Sequence, residues 1–404
     1  MGDIFEDWWT RALEQAAAEN DFLVVASIGN GTDAYTPKPL YPAAGSNVLG
    51  VGVVDAVTDT DGRISLFNFS TPKPLHSSIG PTEDRRCKPD IVAPGTALVP
   101  TAENENGYEL KTNWSSLAAP IVAGTAALLE QKASSDASLN TDFNQPGKSL
   151  VLKAVLMNSA RKLPFWHKGQ IASDDNHETP LDYTQGAGLV DGLAAYEQLT
   201  AGMEKPGEVK TTGWDNRVLQ GGDWGYEYAF EVSDPNQMIT ATLCWNRAYQ
   251  SKYPFKHLLQ QDTDLRLELW GIDPNDPQER ILLDYSDSVN DNVEHIYFAA
   301  DPNYTAYAIR IRFNEEAPAN TSAKQRFAVA WSVGSDRQVG DPWWRDLNSD
   351  NTIDGLDKLI HALIKNRRIT KIDRKFLGEV LKISPERLEL LTEGWAIWKP
   401  YLSD

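Results

Sequence analysis

"TNWSSLAAPIVAGTAALLEQ", residues 112–131, sets a serine pair directly ahead of a proline and an Ala-rich apolar run. Proline is tolerated in the first turn of a helix, and the residues behind it are small and apolar, so the pattern predicts a helix over 117–132. Ser116 then stands at the helix N-terminus, where unpaired amides and the positive end of the dipole favour a developing negative charge. A serine in that place is also a common N-cap, its hydroxyl accepting from a first-turn amide. What converges on Ser116 from elsewhere decides between a cap and a nucleophile.

Residues 4–18 carry apolar side chains at Ile4, Trp8, Ala12, Leu13 and Ala16, a helical spacing that leads into the continuous apolar run "DFLVVASIG" (21–29). "NVLGVGVV" (47–54) and "DIVAP" (90–94) share this character of strands buried on both faces, and they alternate with Gly- and Pro-rich loops. Further helices are predicted at 148–160 and 191–200. The alternation describes an α/β domain with a mostly parallel sheet over residues 1–202. Ligand sites in such sheets gather past the carboxyl ends of strands, which is where Asn30 falls. Taken alone, Asn30 reads equally as a turn residue.

After "AGMEKPGEV" (201–209) the pattern changes. "YEYAFEV", "MITATLCW", "DLRLELWGI", "AYAIRIRF" and "RFAVAWSV" cluster β-branched and aromatic residues between turns such as "DPNDP". Residues 203–336 are therefore expected to form an all-β sandwich or jelly roll, and 337–404 a small, acidic, then helical tail. The 404 residues exceed one ordinary core, in keeping with two or three domains. A net charge of −19 argues against nucleic acid, whose phosphates are bound through Lys and Arg, and favours cations. Cys87 and Cys244 fall in different regions and suggest no disulfide framework. No apolar run approaches the ~20 residues of a membrane span, and the acidic, amphipathic start is not expected to act as an export signal.

Six stretches, "LVVASIGNG", "YPAAGSNVLGVGVVDA", "SSIGPTEDRRCKPDIVAPG", "SSLAAPIVAGTAALL", "VLKAVLMNSA" and "QGAGLVDGLAA", follow one another in the order and spacing of the subtilisin-like serine peptidases. The chain resembles that family over residues 1–202. The resemblance implies that Ser116 is the nucleophile, that Asn30 is the oxyanion-hole amide, and that Ser27, Ile28, Gly29, Trp114 and Ser115 flank a protein or peptide substrate. A side-chain amide and a backbone N–H at a helix start suit a tetrahedral oxyanion. The family's acid and base precede the asparagine, whereas Asn30 follows Met1 by 29 residues. The Asp/His half is thus expected from an upstream segment or a separate chain, because a hydroxyl needs a base to become a nucleophile. His76, in "KPLHSSIGPT", and the other five histidines read as surface or packing residues without the family's "HGT" context. Trp114-Ser115 stands where the family has Gly-Thr, and an indole there crowds the cleft. That departure favours the alternative, a catalytically inactive scaffold binding a protein or polysaccharide. The family's habit of export implies an extracellular or cell-surface location.

Residues 203–336 resemble a jelly-roll module that follows some of these catalytic domains. Asp262, Asp264, Asp291 and Asn292 there are either calcium ligands or solvated turn acids. In the tail, "DLNSDNTIDGLD" (346–357) puts oxygen-bearing side chains at loop positions one, three, five, nine and twelve: Asp346, Asn348, Asp350, Asp354 and Asp357. Thr352 at seven offers its carbonyl. That spacing can wrap one structural calcium, and aspartate at the last position resembles a dockerin loop; an acidic helix-capping loop is the other reading.

Overall fold

The computed structural model describes residues 8–31, 38–58, 64–69, 72, 76–101, 107–163, 166–168, 176–221, 223–258, 263–273, 276, 279–314 and 324–334. The calcium-type loop with Asp346, Asn348, Asp350, Thr352, Asp354 and Asp357 lies outside the described residues, as does Asp262. The first part of the chain runs α1 (Trp8–Asn20), β1 (Val24–Ser27), β2 (Val48–Val54), β3 (Ala56–Thr58), β4 (Ile64–Phe69), β5 (Ile91–Pro94), β6 (Ala97–Pro100), β7 (Tyr108–Lys111), α2 (Ser115–Ser135), α3 (Asn140–Phe143), α4 (Lys148–Asn158) and α5 (Gly192–Ala201). It is followed by β8 (Gly207–Glu208), β9 (Thr212–Gln220), β10 (Tyr226–Glu231), β11 (Met238–Trp245), β12 (Leu265–Ile272), β13 (Arg280–Ser286), β14 (Val293–Ala299), β15 (Ala306–Phe313) and β16 (Lys324–Gly334).

The apolar runs become a three-stranded parallel sheet in the order β1-β2-β5. Every residue of β2 is buried, as expected of a central strand covered on both faces, and α2 lies across all three strands. β1 sits at the edge, half-buried, with one strand neighbour among the described residues.

The later strands form two sheets, β13-β12-β15-β10-β8 and β14-β11-β16-β9. Their facing sides share one apolar core that includes Tyr228, Leu267 and Ile309 from the first sheet and Leu243, Ile296 and Trp331 from the second. The other side of the second sheet rests on α4. Residues 149–158 of α4 are all buried, so this helix, "KSLVLKAVLMN", is apolar nearly all round because it has protein on every side. Trp214, Cys244, Val293 and Ala328 from the later strands join the same core as Leu49, Ile91 and Val122. The apolar core thus continues across residue 203.

Polar groups caught in this junction are paired. Asn158 donates to Gln198 and to Ser332 Oγ and accepts from Thr242 Oγ1 at 3.1 Å. His295 is fully buried on β14, with Lys162 Nζ 2.8 Å from Nε2 and Thr242 Oγ1 2.8 Å from Nδ1. Burial first, then the charges of Lys162 and Lys168, hold the His295 imidazole well below its ordinary range, so it stays neutral and accepts from the ammonium.

Below about pH 6.5 an unfolded chain protonates this histidine and the folded chain does not, so its contribution to stability declines as pH falls. Asp291, raised to about 6 by burial, works in the opposite sense, because it holds a proton in the fold. Comparing wild type with His295→Asn isolates the histidine. Between about pH 7 and pH 5, denaturant titrations are expected to show wild type losing roughly 1–2 kcal/mol more than the variant. Parallel pH profiles for the two proteins contradict this account.

Candidate functional site

The parallel strands deliver their carboxyl ends to one rim. Past β1 the backbone turns at Gly29, whose φ of +110° is left-handed space, and a Cβ there meets Ser78 Oγ at 2.7 Å and Leu40 at 2.9 Å. Ile28 is fully buried, its N–H given to Val51 O at 2.9 Å and its carbonyl receiving Leu40 N–H at 3.0 Å. Ser27 is the last residue of β1 and half-buried. This tight exit leaves Asn30 on the rim.

Helix α2 arrives from the other side. It begins at Ser115, two residues before the sequence reading, with Trp114 in extended conformation at the cap and no side chain capping it. Ser116 is therefore inside the first turn, which removes the N-cap explanation for it. Its side chain is exposed and has no hydrogen-bond partner among the described residues. Trp114 N–H donates to Gly95 O at 3.2 Å, and the residue is 51% exposed.

Two hydrogen bonds join the rim to the helix. The Ser115 N–H donates to Asn30 Oδ1 at 2.8 Å, and the Gly29 N–H donates to Ser115 Oγ at 3.3 Å. Ser115 is fully buried and reaches the site as a brace. The Asn30 side chain is thus tied through its oxygen to the residue that precedes Ser116. Asn30 lies against the first turn of α2, whose N-terminal end favours a negative charge.

His76 is placed differently from a bare surface histidine. Its Nδ1 lies 2.7 Å from Asp55 Oδ2, and Asn113 Nδ2 lies 3.5 Å from its Nε2. Asp55 follows β2 directly, so the pair occupies the same rim, yet neither ring nitrogen bonds Ser116. The signal available in sequence was an aspartate closing a buried strand run. In the β region, Asp291 accepts from Cys87 N–H and Ser288 Oγ, and Asn292 donates to Ser46 O and Trp245 O. Asp264 accepts from Asn314 Nδ2 at 3.0 Å, and burial pushes its carboxyl up to about 7. No group of three or more His, Cys, Asp or Glu is poised to hold a metal among the described residues.

A Cβ at position 95 falls 2.0 Å from Val53 Cγ2 and 2.9 Å from Trp114 N. Gly95→Ala is therefore expected to cost about 1–3 kcal/mol, through overpacking against the backbone that seats α2. Thermal melts measure the loss, and amide exchange should quicken at residues 114–116. An unchanged melt places no constraint at Gly95.

Residues 5–188 match the subtilase family model, Peptidase_S8. The PII-type proteinase of Lacticaseibacillus paracasei is 37% identical over 207 residues, covering 46% of this chain and 10% of that protein. Serine protease AprX of Bacillus subtilis (strain 168) is 31% identical over 143 residues, covering 31% and 30%. The chain thus spans a small part of the curated relatives it matches. Among solved structures, the patellamide maturation protease PatA aligns at 27% identity over 48% of this chain and 57% of that one, with a TM-score of 0.31. The family match contains both Asn30 and Ser116, and it makes the first half of this chain similar to the subtilisin-like serine proteases.

Proposed function

We propose that this chain is the C-terminal portion of a subtilisin-like serine endopeptidase, with Ser116 as nucleophile and Asn30 as oxyanion donor, acting on protein or peptide substrates. The observation that carries the reading is the 2.8 Å bond from the Ser115 N–H to Asn30 Oδ1, which ties the asparagine to the residue before Ser116. Hydrolysis further requires a base on Ser116, and His76 is committed to Asp55 and Asn113. The base and its carboxylate come from an Asp/His half, upstream or in trans. The outer edge of β1, half-buried and with one strand neighbour among the described residues, is a surface such a half can extend by strand pairing. The jelly-roll reading of 203–336 assigns that region to supporting the catalytic part through α4, and 337–404 to a dockerin-like calcium tail. The protein acts outside the cell or at its surface.

A second reading, an inactive scaffold that binds a protein or polysaccharide, draws on the half-exposed Trp114, a ready stacking platform beside Ser116.

A fluorophosphonate probe separates them. The chain alone should not label. With an Asp/His-bearing half present it should label at Ser116, and Ser116→Ala should abolish this. Asn30→Ala should lower kcat by about 10²–10³, the range known for subtilisin's own asparagine. Failure to label with a bound half leaves the scaffold reading, and labelling of the lone chain overturns the proposed activation.

For the tail, calorimetric titration of the full chain is expected to show one calcium bound per molecule, lost in an Asp346→Ala, Asp350→Ala double variant. No heat at millimolar calcium ends the calcium proposal.

A further inference from the structure

Away from Ser116, a cavity of about 290 Å³ lies where α1, the turn at 82–86 and the segment after β11 meet. Four cationic side chains, Arg11, Arg86, Arg247 and Lys256, line it against two carboxylates, Glu14 and Asp84. In a chain of net charge −19, this local excess of positive charge is unexpected from composition.

The carboxylates are already engaged. Glu14 Oε1 receives the Asn47 N–H at 3.0 Å, and Asp84 accepts from Thr82 Oγ1 at 2.6 Å and from Arg86 Nε at 2.7 Å. Burial works against the Asp84 charge, but Arg86 and then Arg247 hold its carboxyl below the ordinary range. Arg86 is 3% exposed, and its Nη1 has no hydrogen-bond partner among the described residues. A buried guanidinium with one satisfied edge leaves a charged donor without the water it gave up.

The turn that carries Arg86 is tightly closed. Arg85 takes a φ of +68°, and the turn is closed by Thr82 N–H to Arg86 O at 3.0 Å and Arg86 N–H to Thr82 Oγ1 at 2.9 Å. Non-glycine residues in left-handed space cluster where geometry serves a ligand. Arg247 is pinned in turn, its N–H on Asn47 Oδ1 at 2.8 Å and Nη2 on Asn290 O at 2.5 Å. The cations are thus presented by three separate segments, two of which precede residue 203 and one of which follows it.

We infer that this cavity is an anion site for a phosphate or phosphomonoester group, with the Arg86 and Arg247 guanidinium groups as its principal cations and Lys256 at its rim. Guanidinium forks suit tetrahedral oxyanions bidentately, and a multiply charged group balances the excess cations better than one carboxylate does. A bound anion joins α1 and the 82–86 turn to the 247–256 segment, so it tightens the junction between the first and second halves of the chain. The site is independent of peptidase activity and persists in Ser116→Ala.

The test is titration of the full chain with inorganic phosphate, phosphoserine and acetate at constant ionic strength, followed by calorimetry and thermal melting. Phosphate or phosphoserine should bind at millimolar concentration or tighter and raise the melting temperature, with acetate weaker. Arg86→Gln should weaken binding by about tenfold or more, and Lys256→Ala, an exposed change that leaves folding intact, by a smaller factor. Phosphoserine binding above phosphate points to a phosphorylated protein as the source, and phosphate alone to a free ion. Absence of any phosphate effect in wild type, or equal effects in wild type and both variants, overturns the inference.

Discussion

The candidate site depends on one brace: Ser115 gives its N–H to the Asn30 side chain and takes the Gly29 N–H on its hydroxyl. The two bonds bind the end of a parallel strand to the start of a helix, elements 85 residues apart in sequence. Each is forced by satisfaction of buried polar groups. Ser115 is fully buried at a helix start, where the amide has no intrahelical partner, and the left-handed Gly29 exit directs an N–H inward that no strand neighbour can take. A side chain with an oxygen at 115 and a carboxamide at 30 meet both needs.

What holds this rim in place is the continuous core behind it. α2 covers the parallel sheet, α4 lies behind with the second sheet on its far side, and Trp214 and Val293 enter the same apolar cluster as Leu49. The polar members of the junction, Asn158, Thr242, Lys162 and His295, are mutually satisfied, which lets charge sit at depth without an unpaired group. The weak point is β1, which lacks β2's complete burial and has one strand neighbour among the described residues.

Local chemistry was legible in the sequence and long-range pairing was not. The buried runs at 21–29, 47–54 and 90–94 gave strands because apolar residues without alternation demand cover on both faces, and all three appear in one parallel sheet. Asn30 and Ser116 drew notice in the sequence because each was expected at an element boundary, and the structure has Asn30 past β1 and Ser116 in the first turn of α2. The helix start was placed two residues late, since the cap is Trp114, a residue type with no capping oxygen to announce it. Ser115 looked like a neighbour of the site, and only burial shows it as the brace. The Asp55–His76 pair and the Lys162–His295 contact join residues 21 and 133 apart, beyond the reach of any local pattern. Likewise α4 read as an ordinary apolar helix, because nothing in its own residues says that a β sheet supplies its outer cover.

The placement of Trp114 follows from the same logic. Gly95 has no room for a Cβ because Val53 and the Trp114 backbone close over it, so the chain at 114 is fixed in position and only its side chain is free to vary. Extended backbone at a helix cap points that side chain away from the core, and the indole emerges half-exposed beside the serine. A large residue is therefore accommodated there without disturbing the brace at Ser115. It adds an exposed aromatic face next to Ser116 in the chain. The exposed position of the indole and the buried position of Ser115 thus separate what varies at this rim from what holds it together.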